Sequence, residues 1–277
     1  MATKKNEIAT LDSFSLTNIY DGMDADELAE LQDELDDLGS GNEILCRMIK
    51  VPSGGQLAFE VETDNPESPD YQKEVQGVIL FTHKANARWL GRPGDGAENS
   101  APVCSSLDGK TGMNMDTGEV INCDGCPYNE FGSSGDGTRG KECKNMRRVY
   151  LMMDGDPNVY RLTVPPTSIK DIEKQLRRII AGGASYTSVV VRFTLSKATN
   201  NAGIAYSKAG LEKVGPLPPA VAATAKELRK QIKAQFQSMD ITAADYNTTA
   251  SDTAPAYPEA SFEEVPEEAA DEPLPFG

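Results

Sequence analysis

Four cysteines, Cys104, Cys123, Cys126 and Cys143, form the array C-x18-C-x2-C-x16-C inside residues 92–144, a stretch dense in Gly, Asp, Ser and Asn. Nothing else in the chain constrains the fold as much. This stretch has almost no hydrophobic periodicity, and about fifty residues without a core of their own need a staple. Two cysteines separated by two residues reach one metal ion from a tight knuckle, and the outer pair completes a tetrahedron. Four thiolates satisfy Zn²⁺ and leave no open position for a catalytic water, so the spacing predicts one structural zinc ion. Because only one C-x2-C is present, a redox pair and unrelated reduced thiols are the competing readings. Cys46 falls in a strand pattern and reads as a small buried hydrophobe. The only histidine, His83, reads as a packed or surface residue at a strand end rather than as a ligand.

The rest of the chain reads as mainly β with a few helices, an α+β composition. Runs of β-branched and aromatic residues predict strands at 44–51, 57–61, 75–81, 149–153, 160–164, 188–195 and 204–207. Turn signals fall at 52–55, 154–157 and 200–203. A basic helix is expected over 169–180, capped by Thr167 or Ser168 and stopped by Gly182 and Gly183. A last helix covers roughly 219–239. Near the N-terminus, Leu28, Leu31, Leu35 and Leu38 recur at three- and four-residue spacing, predicting an acidic helix with a leucine stripe. Asp24 is its expected N-cap and Gly39 its stop, and the stripe is expected to pack on the domain or on a second copy. Five to seven strands without strand–helix alternation argue for a small, strongly curved antiparallel sheet or barrel rather than a doubly wound sheet.

A formal net charge of −16 looks wrong for a protein that binds a polyanion. Its distribution reverses that view. Residues 1–43 hold twelve acids and two lysines, residues 240–277 hold ten acids and no base, and the block 44–239 holds 25 bases against 21 acids. Within that block, 139–208 carries thirteen Lys or Arg against five acids. A mildly basic body between acidic ends is the layout of a nucleic-acid binder with regulatory tails.

Sequence-tolerant binding of single strands needs flat rings for bases and cations for phosphates. The aromatic candidates are Trp89, Tyr128, Phe131, Tyr150, Tyr160, Phe193 and Tyr206, of which half or more are expected in the core, Tyr150 and Phe193 first. The cationic candidates are Lys84, Arg88, Arg92, Lys144, Arg147, Arg148, Arg192, Lys197 and Lys208. Trp89, between Arg88 and Arg92 in an expected loop, is the first choice for stacking on a base. The chain lacks a phosphate-cradling G-x4-G-K-[ST], a G-x-S-x-G elbow and an H-E-x-x-H helix, and His83 does not begin the His-x-Glu of a zinc deaminase. These absences point to a non-enzymatic protein. No run approaches the eighteen or so apolar residues of a membrane span, and Lys4 and Lys5 precede no apolar signal core, so a cytoplasmic protein without membrane contact is expected.

The C-terminal segment 240–277 is too acidic and too poor in apolar residues to offset its ordering entropy, and it is expected to be disordered. It ends on Asp271, Glu272, Pro273, Leu274, Pro275 and Phe276, followed by Gly277. This ending resembles the tails of bacterial and phage single-stranded-DNA-binding proteins, in which an acidic linker ends in an Asp/Glu-rich tip with Pro-Phe. The resemblance implies that the tip docks replication or repair enzymes, with Phe276 displaced from the terminus by one residue. It also implies an oligonucleotide-binding (OB) barrel as the body. The segments 49–55, 77–79, 126–132 and 165–168 are similar to proteins of phages and mobile elements of Gram-positive bacteria. The expected layout is therefore an acidic arm with a helix (1–42), an OB-like domain (43–215) with a zinc-stapled insertion (92–148), a helix (216–239) and an acidic tail (240–277). A DNA-annealing recombination accessory protein and a zinc-containing interaction adaptor are the alternative functions.

Overall fold

The structure, a computed structural model, describes residues 14–16, 22–37, 46–65, 67–90, 102–134, 140–200, 203–235 and 241. The described chain is mainly β. Its first element is a short acidic helix, α1 (Ala25–Asp37). Asp24 caps it as its position predicts, its carboxylate accepting from the Asp26 and Glu27 amides at 3.0 and 2.9 Å. Glu27 returns the bond to the Asp24 amide at 2.8 Å, closing a capping box.

Eleven strands follow in one sheet. They are β1 (Arg47–Lys50), β2 (Phe59–Val61), β3 (Asp70–Gln72), β4 (Glu74–Arg88), β5 (Cys104–Ser106), β6 (Thr111–Asn114), β7 (Val120–Asn122), β8 (Lys144–Met153), β9 (Val159–Val164), β10 (Val189–Thr199) and β11 (Ala205–Pro216). Helix α2 (Pro166–Ala181) links β9 to β10, and α3 (Pro219–Gln235) follows β11. The axis of the sheet is the long β4. Along one edge it pairs with β8 for most of its length. Along the other edge it is shared, with β10 on its first part and β5 on its last.

The runs 78–81 and 189–191 are continuously apolar because both faces of the sheet are covered. On one face Ile79, Val149, Leu151, Leu162, Val191 and Phe193 pack with Ile172, Leu176 and Ile179 of α2. On the other, Val78, Leu80, Tyr150, Met152 and Val190 pack with Ala225, Leu228 and Ile232 of α3 and with Phe14. The i, i+4 spacing on α2 and α3 supplies those two apolar stripes. Tyr150 and Phe193 are fully buried, as the pattern predicts.

The closed barrel is not formed. The pairing path ends at β3 on one side and at β11 and β7 on the other, and no ladder among the described residues joins those ends. The seam explains why. β1 has taken the free edge of β9 in parallel register, Arg47 opposite Tyr160. β11 then reaches only the turn before β2, where Ser207 Oγ donates to the Gln56 carbonyl at 2.8 Å.

Three local expectations also change. The stretch 92–144, read as loop, contains β5, β6 and β7, held by Asp and Asn turns rather than by apolar contacts. Helix α2 begins with Pro166 at N1 and Pro165 as N-cap without a side-chain cap; Ser168 is buried instead, its Oγ accepting from the Ala209 amide at 2.9 Å. The strand expected to end at Phe81 runs on to Arg88, which places His83 within it. The acidic tail and its tip, Asp271 to Phe276, lie outside the described residues, as does Arg92. Ile241, at the start of that segment, is buried at 4% exposure beside Trp89. No helix among the described residues is long and apolar enough to cross a membrane.

Candidate nucleic-acid interface

The second half of β4 alternates in side-chain direction: Lys84 and Asn86 stand opposite Arg147 and Asn145 of β8, and Ala85 stands opposite Met146. The alanine side joins Met146, Trp89 and Ile241 in a small third core. The polar side lines a cleft of about 700 Å³ whose other walls are the segment after Cys126 and helix α2. Lys84, Lys141, Lys144, Lys170 and Arg177 line it, with Glu173 as the only carboxylate among the lining residues. Phe131 stands at the same cleft and is 81% exposed.

Hydrogen bonds fix the floor. Asn145 Nδ2 donates to Asn86 Oδ1 at 2.9 Å and to Asn129 Oδ1 at 3.0 Å, and Lys141 Nζ reaches the same Asn129 oxygen at 3.2 Å. Asn129 Nδ2 donates in turn to the Cys123 carbonyl at 2.9 Å, so the amides tie the cysteine-bearing segment to the sheet. Glu173 accepts from Arg147 at 2.6 Å and from Arg177 at 2.9 Å. Burial alone would raise its carboxyl, but the Arg147 hydrogen bond and the charges of Arg147, Lys84 and Arg177 hold it below the ordinary value.

The sequence candidates divide into four groups. Lys84, Lys144 and Phe131 line the cleft, and Arg147 stands behind its lining, paired with Glu173. Beside it, Arg88 donates to Glu142 at 2.7 Å and lies 3.6 Å over the Tyr128 ring, and Lys141 lies 4.8 Å over Phe131. Arg192, Lys197, Tyr206 and Lys208 sit instead on the β10–β11 hairpin, where Arg192 pairs with Glu74 and Lys208 with Asp171. Finally, Trp89 and Arg148 are buried, at 6% and 0% exposure, so neither ring nor guanidinium faces solvent. The expected loop around Trp89 is the end of β4, and its ring fills the space above two alanines. Sequence reasoning missed Lys141, Lys170, Arg177 and the three asparagines as a group. For Lys170 and Arg177 a signal existed, a basic stripe at i, i+7 on a helix whose other face is apolar.

The four cysteines are neighbours. Cys104 begins β5 opposite Arg88, and Cys143 precedes Lys144, which is paired with Ala87, so the outer two flank the end of β4. β7 delivers Cys123, and a turn with Gly125 at φ +77° carries the chain to Cys126. A Cβ on Gly112 would lie 3.1 Å from Cys104 Sγ and 3.5 Å from Cys123 Sγ. Burial pushes the Cys143 thiol up to about 12, and negative charge on Cys123, Cys104 and Cys126 adds to the rise. As they stand, no three His, Cys, Asp or Glu side chains among the described residues are grouped to hold a metal ion. His83 is apart from them, its Nδ1 2.7 Å from the Leu107 carbonyl. Comparison with known protein families, curated proteins and solved structures gives no match to this chain.

Proposed function

We propose that the protein is a non-enzymatic, sequence-tolerant single-stranded-DNA-binding protein that serves replication or recombination. The observation that carries this reading is the cleft: five cations against one carboxylate, lined on one side by a phenyl ring open to solvent. Cations meet phosphates and an open ring stacks on any base, which is the chemistry of single-strand binding without sequence readout. The amides of Asn86, Asn129 and Asn145 beneath are bonded to one another, which leaves the ring and the cations to hold the strand without a fixed base preference.

The connectivity supports the same reading. β4, β8 and β9 form an antiparallel meander, α2 follows, and the β10–β11 hairpin returns to β4. This order agrees with the strand order of an OB module, and the proposal takes the sheet as an open relative of one, with β1 on the edge of β9. In that arrangement the cysteine-bearing segment is the connection between the first two strands and Lys197 lies towards the tip of the hairpin between the last two. Those two connections carry the ligand in OB-folds. The acidic tip from Asp271 to Phe276 is proposed as the docking peptide for a replication or repair enzyme, with the Phe276 ring as its anchor.

Filter binding with single- and double-stranded oligonucleotides of matched length tests the reading. Retention should favour single strands, be indifferent to sequence, and weaken steeply with salt. A protein that retains no oligonucleotide at low salt would overturn it in favour of a protein-binding adaptor.

A further inference from the structure

We infer that Cys104, Cys123, Cys126 and Cys143 together hold one zinc-class divalent ion, and that this ion takes the place of an apolar core in the segment between β4 and β8. The inference goes beyond the nucleic-acid reading and does not depend on it. Among the described residues from 103 to 143, those buried are Ser106, Gly112, Cys123 and Cys143. No aliphatic or aromatic side chain is among them, while Met113, Met115, Val120 and Phe131 are exposed. Leu107, partly buried against the Trp89 cluster, is the segment's one apolar anchor there, and strands of three and four residues with so little apolar packing beneath them do not persist in water. What this segment has at its centre is sulfur.

The topology brings the sulfurs there from four directions: the start of β5, the end of β7, the turn beyond it and the residue before β8. Gly112 supplies the room, since any side chain at that position would press on the thiols of Cys104 and Cys123. Neutral thiols have no electrostatic reason to close further, and thiolates alone would repel. A bound cation reverses both conditions, because it deprotonates its ligands and draws them in. Four sulfurs and no nitrogen or oxygen donor match zinc, with iron as the other ion suited to such a set. Zinc needs no redox partner to remain bound, and a full tetrahedron leaves it no catalytic position. The same segment carries Phe131 and Lys141 to the cleft, so the ion also positions them.

The test uses the full chain purified without chelators. Elemental analysis should find about one zinc per chain. Cobalt exchanged into the protein should show the thiolate charge-transfer and d–d bands of a tetrahedral sulfur site. Cys46→Ser should keep the metal, and Cys126→Ser or Cys143→Ser should lose it and expose 102–143 to protease. If those variants fail to fold, the cobalt spectrum of the unaltered protein decides. Absence of zinc, retention of zinc after loss of both Cys126 and Cys143, iron in its place, or a Cys104–Cys123 disulfide would each overturn the inference. None of these readouts contains DNA. A zinc-bearing protein that binds no oligonucleotide would therefore sink the proposed function alone.

Discussion

Three residues separate what an aromatic or imidazole ring does from where sequence suggests it stands. Phe131 is exposed at the cleft and Trp89 is enclosed by Ala85, Ala87, Met146 and Ile241. Phe131→Ala should cost about 1–3 kcal/mol of single-strand affinity while leaving the urea melt unchanged. Trp89→Ala should do the opposite, costing about 3–5 kcal/mol of stability in the same melt. His83 sets a pH dependence. Its ring lies against both Phe81 and Tyr150, which also stack on each other. Burial first, and then the charges of Arg148 and Arg147, hold its pKa below the ordinary value against the pull of the Lys84 and Leu107 carbonyls. The unfolded chain thus takes up this proton at higher pH than the folded one. The contribution is complete above about pH 6.5 and is lost as pH falls below it. Chemical denaturation from pH 8 to 5 should show that fall, and His83→Gln should flatten it. Asp156 and Glu173, held below the ordinary carboxylate value, add their losses only at lower pH.

At the scale of elements, α2 and β4 form the two basic walls of the cleft. Lys170 and Arg177 come from one face of α2, Lys84 from β4 and Lys144 from β8. Replacing Lys170 and Arg177 by Ala should weaken single-strand binding for all sequences alike. The slope of log affinity against log salt should shrink by about 0.7 for each phosphate that is no longer neutralised. The same pair of changes on the hairpin, at Arg192 and Lys208, which stand outside the cleft, should alter that slope less in the same titration. Most strands and α2 and α3 were legible because their apolar runs and stripes are long. β4 beyond Phe81 was not, because its inward residues there are Ala85 and Ala87, small and poor strand formers that leave the alternation looking like loop. β5, β6 and β7 were illegible for a different reason: their order rests on turns and cysteines, which have no hydrophobic period. The cleft could be seen only in part, since its floor of Asn86, Asn129 and Asn145 joins residues from three elements with no shared spacing.

The whole molecule sets a basic cleft against a chain of net charge −16. Much of that charge lies in the last 38 residues, which carry ten carboxylates and no base. Joined to the body by the chain, these carboxylates are present at a high effective concentration that dilution does not lower. To a lysine they are anionic oxygens like the phosphates of a single strand, so they compete for Lys84, Lys141, Lys144, Lys170 and Arg177. Deleting residues 248–277 removes eight of them and leaves Ile241 beside Trp89. The truncated protein should bind single strands more tightly than the full chain at low salt. The advantage should shrink as the Debye length contracts to about 10 Å at 0.1 M salt and further beyond it. A tail of equal length with Gln and Asn for Glu and Asp should behave like the truncation, since charge rather than length is the competitor. Equal affinities for all three proteins across the salt series would mean that the tail does not visit the cleft and serves solubility or partner docking alone.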